Sequence, residues 1–267
     1  AAGVRRVEAV SFAHPKYVPQ MADAEAVMAG VPRSDDVTYI GLIMNWRGWE
    51  RAVKTGVDEV NMPIVATDTF NRKNQGVDTA ESIEVFKEVV AAGKDEGIGV
   101  SAVIAASFGC PFEGEVPVER VVDIAGKLAE AGAHEIALAD TIGVGDPWSV
   151  EERVSAVKPV IGDVKLRAHF HDTRNTGIAN AYAGVENGVQ ALDASIGGIG
   201  GCPFAPAATG NIATEDLVYM LDRAGVEHGL SLEGLLEITP SVAEALGKQV
   251  PSALLRAGTF PPPLEQA

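Results

Sequence analysis

The chain has 267 residues, 46% of them hydrophobic and 22% charged, a balance that suits one large domain with a well-buried core. Asp and Glu outnumber Lys and Arg by 37 to 21, and the resulting net charge of −16 repels phosphate backbones, which argues against a nucleic-acid partner. No run of eighteen apolar residues occurs and the first residues lack a signal-peptide pattern, so the expectation is a cytoplasmic protein with no membrane partner.

In chain order, β-rich runs are expected near Arg6 to Ser11, Thr38 to Met44, Glu59 to Pro63, Gly97 to Ala105, Glu135 to Ala139, Lys165 to His169 and Ala191 to Ile196. Amphipathic stretches lie between them, among them Thr79 to Glu96, Pro117 to Gly132, Val150 to Ile161 and Gly177 to Gly188, mostly closed by glycine as helices tend to be. This is a βα unit repeated seven times. Continuous apolar strands alternating with helices imply a parallel sheet, and their regular spacing favours an α/β fold of the (β/α)8 TIM-barrel type. The opening Ala-Ala-Gly-Val-Arg-Arg-Val reads as the end of a helix entering a strand, so the first βα unit of an eight-fold barrel is expected upstream of residue 1. One domain is read over residues 1–258, followed by a Pro-rich tail over 259–267.

Polar residues recur at the C-terminal ends of the predicted strands: Glu8, Asn45, Asn61, Asp140, His169 and His171, with Cys202 and Asn211 after the last. Barrel enzymes assemble their sites at that face. His169 and His171 sit two apart on one strand, so their imidazoles project to the same side and form half of a metal site. The bland alternative is a pair of hydrogen-bonded surface histidines. With oxygen donors nearby, Mg²⁺, Mn²⁺ or Zn²⁺ would fit, and the lack of a cysteine pair argues against structural zinc.

Cys202 lies in a glycine-rich run, Gly197-Gly-Ile-Gly-Gly201-Cys202-Pro203-Phe204, whose glycines favour a loop that moves and a thiol that delivers or removes a proton. Cys110, in Gly109-Cys110-Pro111-Phe112, lacks that hinge and is read as structural; a disulfide between the two is not expected in a reducing compartment. Glu8 has two readings, a strand-end carboxylate paired with Arg5, Arg6 or Lys16, or a barrel carboxylate that orients water or moves protons. Asp140 with Thr141 competes between the site and the cap of the following turn. His14, His134 and His228 are read as surface or loop residues.

The stretch VEAVSFAHPKYVPQM from Val7, the segment HFHDTRNTGIANAYAGVENGVQALDASIGGIGGCPFAPAATGN and the following IATEDLVYML closely resemble the 3-hydroxy-3-methylglutaryl-CoA (HMG-CoA) lyase family of metal-dependent lyase barrels. The resemblance implies a divalent cation, Mg²⁺ or Mn²⁺ before Zn²⁺, and cleavage of an acyl-CoA substrate to acetyl-CoA and acetoacetate, as in leucine degradation. It implies His169, His171 and Asn211 as metal ligands, and Cys202, His169, Glu8 and Asp140 as catalytic residues. It further implies Asn74, Thr141 and Asn45 as substrate-binding residues, and a homodimer.

The family's first strand ends in an Asp-Arg-Glu signature with no match here, which is the second reason to expect a unit upstream. Asn61-Met-Pro-Ile-Val-Ala-Thr-Asp68, Met44 and Pro206 also depart from the family pattern and reshape the expected acyl pocket. Three readings follow: a lyase for HMG-CoA or a close 3-hydroxy-3-alkylglutaryl-CoA, a lyase or aldolase for another hydroxy acid or its thioester, and a non-catalytic barrel that binds metal and ligand.

Overall fold

The computed structural model describes residues 2–201 and 210–261. Seven parallel strands run through them: β1 (Arg6–Ser11), β2 (Thr38–Leu42), β3 (Glu59–Val65), β4 (Gly99–Ala105), β5 (Glu135–Asp140), β6 (Lys165–Phe170) and β7 (Ala191–Asp193). They pair in chain order in one sheet. The helices are α1 (Ala24–Gly30), α2 (Trp46–Ala52), α3 (Asp68–Gln75), α4 (Thr79–Glu96), α5 (Val118–Ala131), α6 (Pro147–Ile161), α7 (Gly177–Glu186), α8 (Thr214–Ala224), α9 (Leu232–Leu246) and α10 (Leu254–Ala257).

The sheet curls on itself, as contacts across it prove. In a flat sheet β1 and β5 would stand about 19 Å apart, yet Arg6 Nη1 on β1 donates to Glu135 Oε2 on β5 at 3.1 Å. Arg167 Nη2 on β6 likewise reaches Asn61 Oδ1 on β3 at 3.1 Å. Strand alternation then divides the residues between two environments. Val60, Met62, Ile64, Ala102, Ile104, Ile136, Leu138, Leu166, Ala168 and Phe170 are buried against Phe86, Val89, Val121, Ile124, Leu128, Val150, Val154 and Val157 from the surrounding helices. The opposite parity carries Arg6, Glu8, Glu59, Asn61, Ser101, Glu135, Arg167, His169 and Asp193 into the curl, and their mutual contacts are described below.

Local chemistry explains the helix boundaries. Asp78 accepts from Glu81 N–H to start α4, and Gly97 closes it in the left-handed region. Asp146 and Ser149 form a capping box at the start of α6, with Pro147 at its first position. The expected helix over Thr79 to Glu96 is present with those bounds. β2 stops at Leu42, short of Met44, because Asn45 already caps α2, and β7 stops at Asp193 because the chain turns over Ile196–Gly198.

Residues 2–5 are not the helix end that the sequence suggests. Gly3 adopts φ 81°, and a Cβ there would lie 2.5 Å from the Gly229 carbonyl oxygen. Ser231 N–H donates to Ala2 O, and Ala2 is buried with Val218 and Leu235, so packing on α8 and α9 replaces helical structure. Between Glu8 and Val10 the register shifts by a bulge, which turns Val10 outward into the core and Ser11 inward.

Candidate active site

His169 and His171 extend from the C-terminal end of β6 on its inner side, as alternation requires, with ring centroids 5.2 Å apart. His169 Nδ1 lies 3.2 Å from Asp193 Oδ2, and Arg167 Nη1 donates to that same oxygen at 2.7 Å. The carboxylate accepts from Nδ1–H, so the tautomer it favours leaves His169 Nε2 as a free lone pair. His171 is 4% exposed; burial first, and the neighbouring His169 second, lower its pKa to about 4 and keep the ring neutral.

The antiparallel bridge His171–Asn211 brings the amide beside the rings. Asn211 Nδ2 is used, donating to Ile199 O at 2.9 Å. Asn211 Oδ1 and His171 Nδ1 are buried with no hydrogen-bond partner among the described residues. An orphaned buried acceptor is costly, and two side by side next to a histidine with a fixed tautomer are what a divalent cation satisfies. The residues present therefore fit a metal through two imidazoles and an amide oxygen, although no cluster of three His, Cys, Asp or Glu side chains occurs among the described residues.

Beneath the histidines lie paired charges in two layers. In the lower layer Arg6 bridges Glu59 and Glu135, and Ser101 Oγ donates to Glu59 Oε1 at 2.5 Å. Above it, Arg167 contacts Glu135 at 2.8 Å, Asp193 and Asn61. Burial opposes the charged forms of Arg167 and Asp193, but their mutual attraction outweighs it, holding the guanidinium above its ordinary range and the carboxylate well below.

Glu8 pairs with none of Arg5, Arg6 or Lys16. It accepts from Asn61 Nδ2 at 2.8 Å. Glu8 is exposed at the mouth of the curl, yet the protein packed around its carboxyl strips water from it and raises its pKa, against the lowering effect of Asn61 and Arg167. It is thus a carboxylate that can take and release a proton.

Other expected site residues make hydrogen bonds within the fold. Asp140 is fully buried at the end of β5, and its oxygens accept from Val144 N–H at 2.9 Å and Gly145 N–H at 2.8 Å, so the carboxylate shapes its own turn. Thr141 Oγ1 accepts from Ala106 N–H at 2.9 Å, and Asn45 Oδ1 caps α2 through Gly48 N–H at 3.2 Å. Asn74 on α3 keeps a buried Oδ1 without a partner among the described residues, which leaves it an acceptor to offer a ligand. Cys110 is buried and its Sγ accepts from Thr67 Oγ1 at 3.0 Å, as a structural thiol should. Cys202 lies outside the described residues, as do Pro206 and positions 262–267 of the tail.

Arg167 and Asp193 are site residues that the motif reading missed. Their signal was periodicity: Lys165, Arg167, His169 and His171 share one face of β6, and Asp193 is the inner-facing charge of β7.

A family model described as HMGL-like matches residues 1–242. The chain belongs to the HMG-CoA lyase family. It is 39% identical over 254 residues to the hydroxymethylglutaryl-CoA lyase of Bacillus subtilis, an alignment spanning 95% of this chain and 85% of that one. It is also 39% identical over 272 residues to the (R)-citramalyl-CoA lyase of Chloroflexus aurantiacus, spanning 98% and 86%. An HMG-CoA lyase from Acinetobacter baumannii, solved in complex with coenzyme A and 3-methylmalate, superimposes with a TM-score of 0.94 at 38% identity, covering 97% of this chain and 85% of that one. The HMG-CoA lyase family makes this chain a carbon–carbon lyase on an α/β TIM-barrel framework.

Proposed function

We propose that this lyase cleaves 3-hydroxy-3-methylglutaryl-CoA, or a close 3-hydroxy-3-alkylglutaryl-CoA, to acetyl-CoA and a 3-oxo acid such as acetoacetate. The observation that carries the reading is the pair of unpartnered buried acceptors, His171 Nδ1 and Asn211 Oδ1, beside a His169 oriented by Asp193. These three side chains would hold a divalent cation, with Mg²⁺ or Mn²⁺ preferred over Zn²⁺. When bound, such an ion supplies Lewis acidity that lowers the pKa of a tertiary hydroxyl.

The chain's own groups divide the remaining work. A His169 that gives its Nδ1 proton to Asp193 and its Nε2 lone pair to a ligand has no base left, so the ligand and base assignments exclude one another. Glu8 is the better base: its raised pKa and water access suit it to accept the hydroxyl proton. As that proton leaves, the hydroxyl oxygen becomes the new carbonyl, the carbon–carbon bond breaks and its electron pair goes to the enolate of acetyl-CoA. Cys202 or a water returns a proton to the enolate carbon. Asn74, with its free Oδ1, supports the acyl-CoA chain.

The Chloroflexus relative favours a second reading, in which citramalyl-CoA is split to acetyl-CoA and pyruvate. Both acyl-CoAs carry a tertiary hydroxyl on the carbon to be released, and they differ in the length of the carboxylate arm. Incubating the protein with Mn²⁺ and each thioester, with and without chelator, separates the two by whether acetoacetate or pyruvate accompanies acetyl-CoA in the mass spectrum. Turnover of neither substrate would leave the barrel as a binder or as a lyase for another hydroxy acid. The resemblance also favours a homodimer, which light scattering on the eluting protein tests. Among the described residues no helix is long and apolar enough to cross a membrane.

A further inference from the structure

Asn211 can leave Oδ1 unpartnered beside His171 only because its other amide atom is held, with Nδ2 on Ile199 O and Gly210 N–H on Gly200 O at 3.0 Å. Glycine is needed at 200, where φ is 105° and a Cβ would lie 2.6 Å from Asn211 Nδ2. Ile199 follows the turn Ile196–Gly198, and that turn is gripped from three directions. Gly197 N–H lies 3.1 Å from both carboxylate oxygens of buried Glu215. Gly197 O accepts from Ser252 N–H at 3.2 Å. The Gly197 α-carbon rests against Val250, whose side-chain carbons a Cβ would meet at 2.9–3.1 Å, and its φ of 71° already excludes most side chains.

The gripping segment is itself anchored. Asp216, in the first turn of α8, accepts from Ser252 Oγ at 3.1 Å, Ala253 N–H at 2.8 Å and Leu254 N–H at 2.7 Å. A short stretch of the C-terminal region is therefore tied to α8 on one side and to the turn beside the histidines on the other. We propose that Val250 and Ser252 are positioning residues for Asn211: they seat the Ile196–Ile199 backbone, and that backbone fixes the amide whose Oδ1 is left for a cation. The inference rests on the reading of Asn211 as a metal ligand.

Mn²⁺ titration of the metal-free full chain by calorimetry, paired with thermal melts, tests it with five variants. Asn211→Ala should weaken Mn²⁺ binding at least 100-fold. Val250→Ala should weaken it about tenfold, Ser252→Ala several-fold, and Val250→Thr, which keeps the branched shape against Gly197, should bind like wild type. Val218→Ala cuts packing between α8 and α9 without touching Gly197, so it should lower the melting temperature and leave Mn²⁺ affinity unchanged. If Val250→Ala and Ser252→Ala both bind Mn²⁺ within twofold of wild type while Asn211→Ala does not, the positioning inference is overturned and the ligand reading stands. If Asn211→Ala itself binds like wild type, the ligand reading falls and takes the inference with it.

Discussion

Replacing Asp193 with Asn tests the link between the buried ion pairs and the metal ligands. Asp193 Oδ2 serves two groups, Arg167 Nη1 at 2.7 Å and His169 Nδ1 at 3.2 Å. Asn keeps the shape but turns two charge-assisted contacts into ordinary ones, a loss of about 1 kcal/mol each before screening. The Asp193 side chain is 28% exposed, so water offsets part of that, leaving about 1 kcal/mol in total. Arg167 keeps Glu135 at 2.8 Å, so no guanidinium is orphaned and the variant should fold.

The larger effect falls on His169. An Asn oxygen at that position is a neutral, weaker acceptor for Nδ1–H, so the tautomer that leaves the Nε2 lone pair free for a ligand is less favoured. Losing such an outer partner typically costs about 10–100-fold in metal affinity. Calorimetric Mn²⁺ titration should read that loss, and nitrogen NMR of the labelled histidines should show a shift from Nδ1–H toward Nε2–H. A Mn²⁺ affinity within twofold of wild type, with the tautomer unchanged, would refute the coupling.

His171 makes a prediction about pH. Its pKa in the fold is about 4 against an ordinary 6.5, so the unfolded chain binds the proton first and stability falls as pH drops through that window. Urea denaturation of the metal-free protein at pH 7 and 4.5 should differ by about 2–3 kcal/mol more in wild type than in His171→Asn; equal pH dependence in both would contradict it. Glu8→Gln keeps the Asn61 hydrogen bond, so it should leave Mn²⁺ affinity within about threefold while lowering kcat by about 10²–10⁴. A fall in metal affinity with kcat preserved would reverse the roles given to Glu8 and His169. Cys110→Ala removes the acceptor shared by Thr67 Oγ1 and Phe112 N–H and should cost about 1–2 kcal/mol with kcat intact, whereas Cys202→Ala should lose turnover; a strong loss of kcat in the first would undo the division between the two thiols.

Much of the fold was legible because its signals are local. Alternation over Lys165 to His171 set strand, face and the pairing of imidazoles at once, and Gly97 marked the end of α4. The helix expected at the opening was wrong because a short Ala-Gly segment has no periodicity to read, and its conformation is imposed by Gly229, Ser231 and Leu235. Asp140 carried the same strand-end signature as His169, and only the path of the following turn shows that its oxygens go to Val144 and Gly145.

By itself the sequence determined the repeating βα order, the rim on which the polar residues gather, and the two imidazoles on one face, since each depends on periods of two or 3.6 residues along the chain. Tertiary structure alone decided which charges meet. Arg6 reaches Glu135 and Arg167 reaches Asn61 only because the sheet curls, and Val250 packs on Gly197 only because the C-terminal segment folds back over α8. Such pairings join residues far apart in sequence, where no local period constrains them, and the curl of the sheet in space sets their distances.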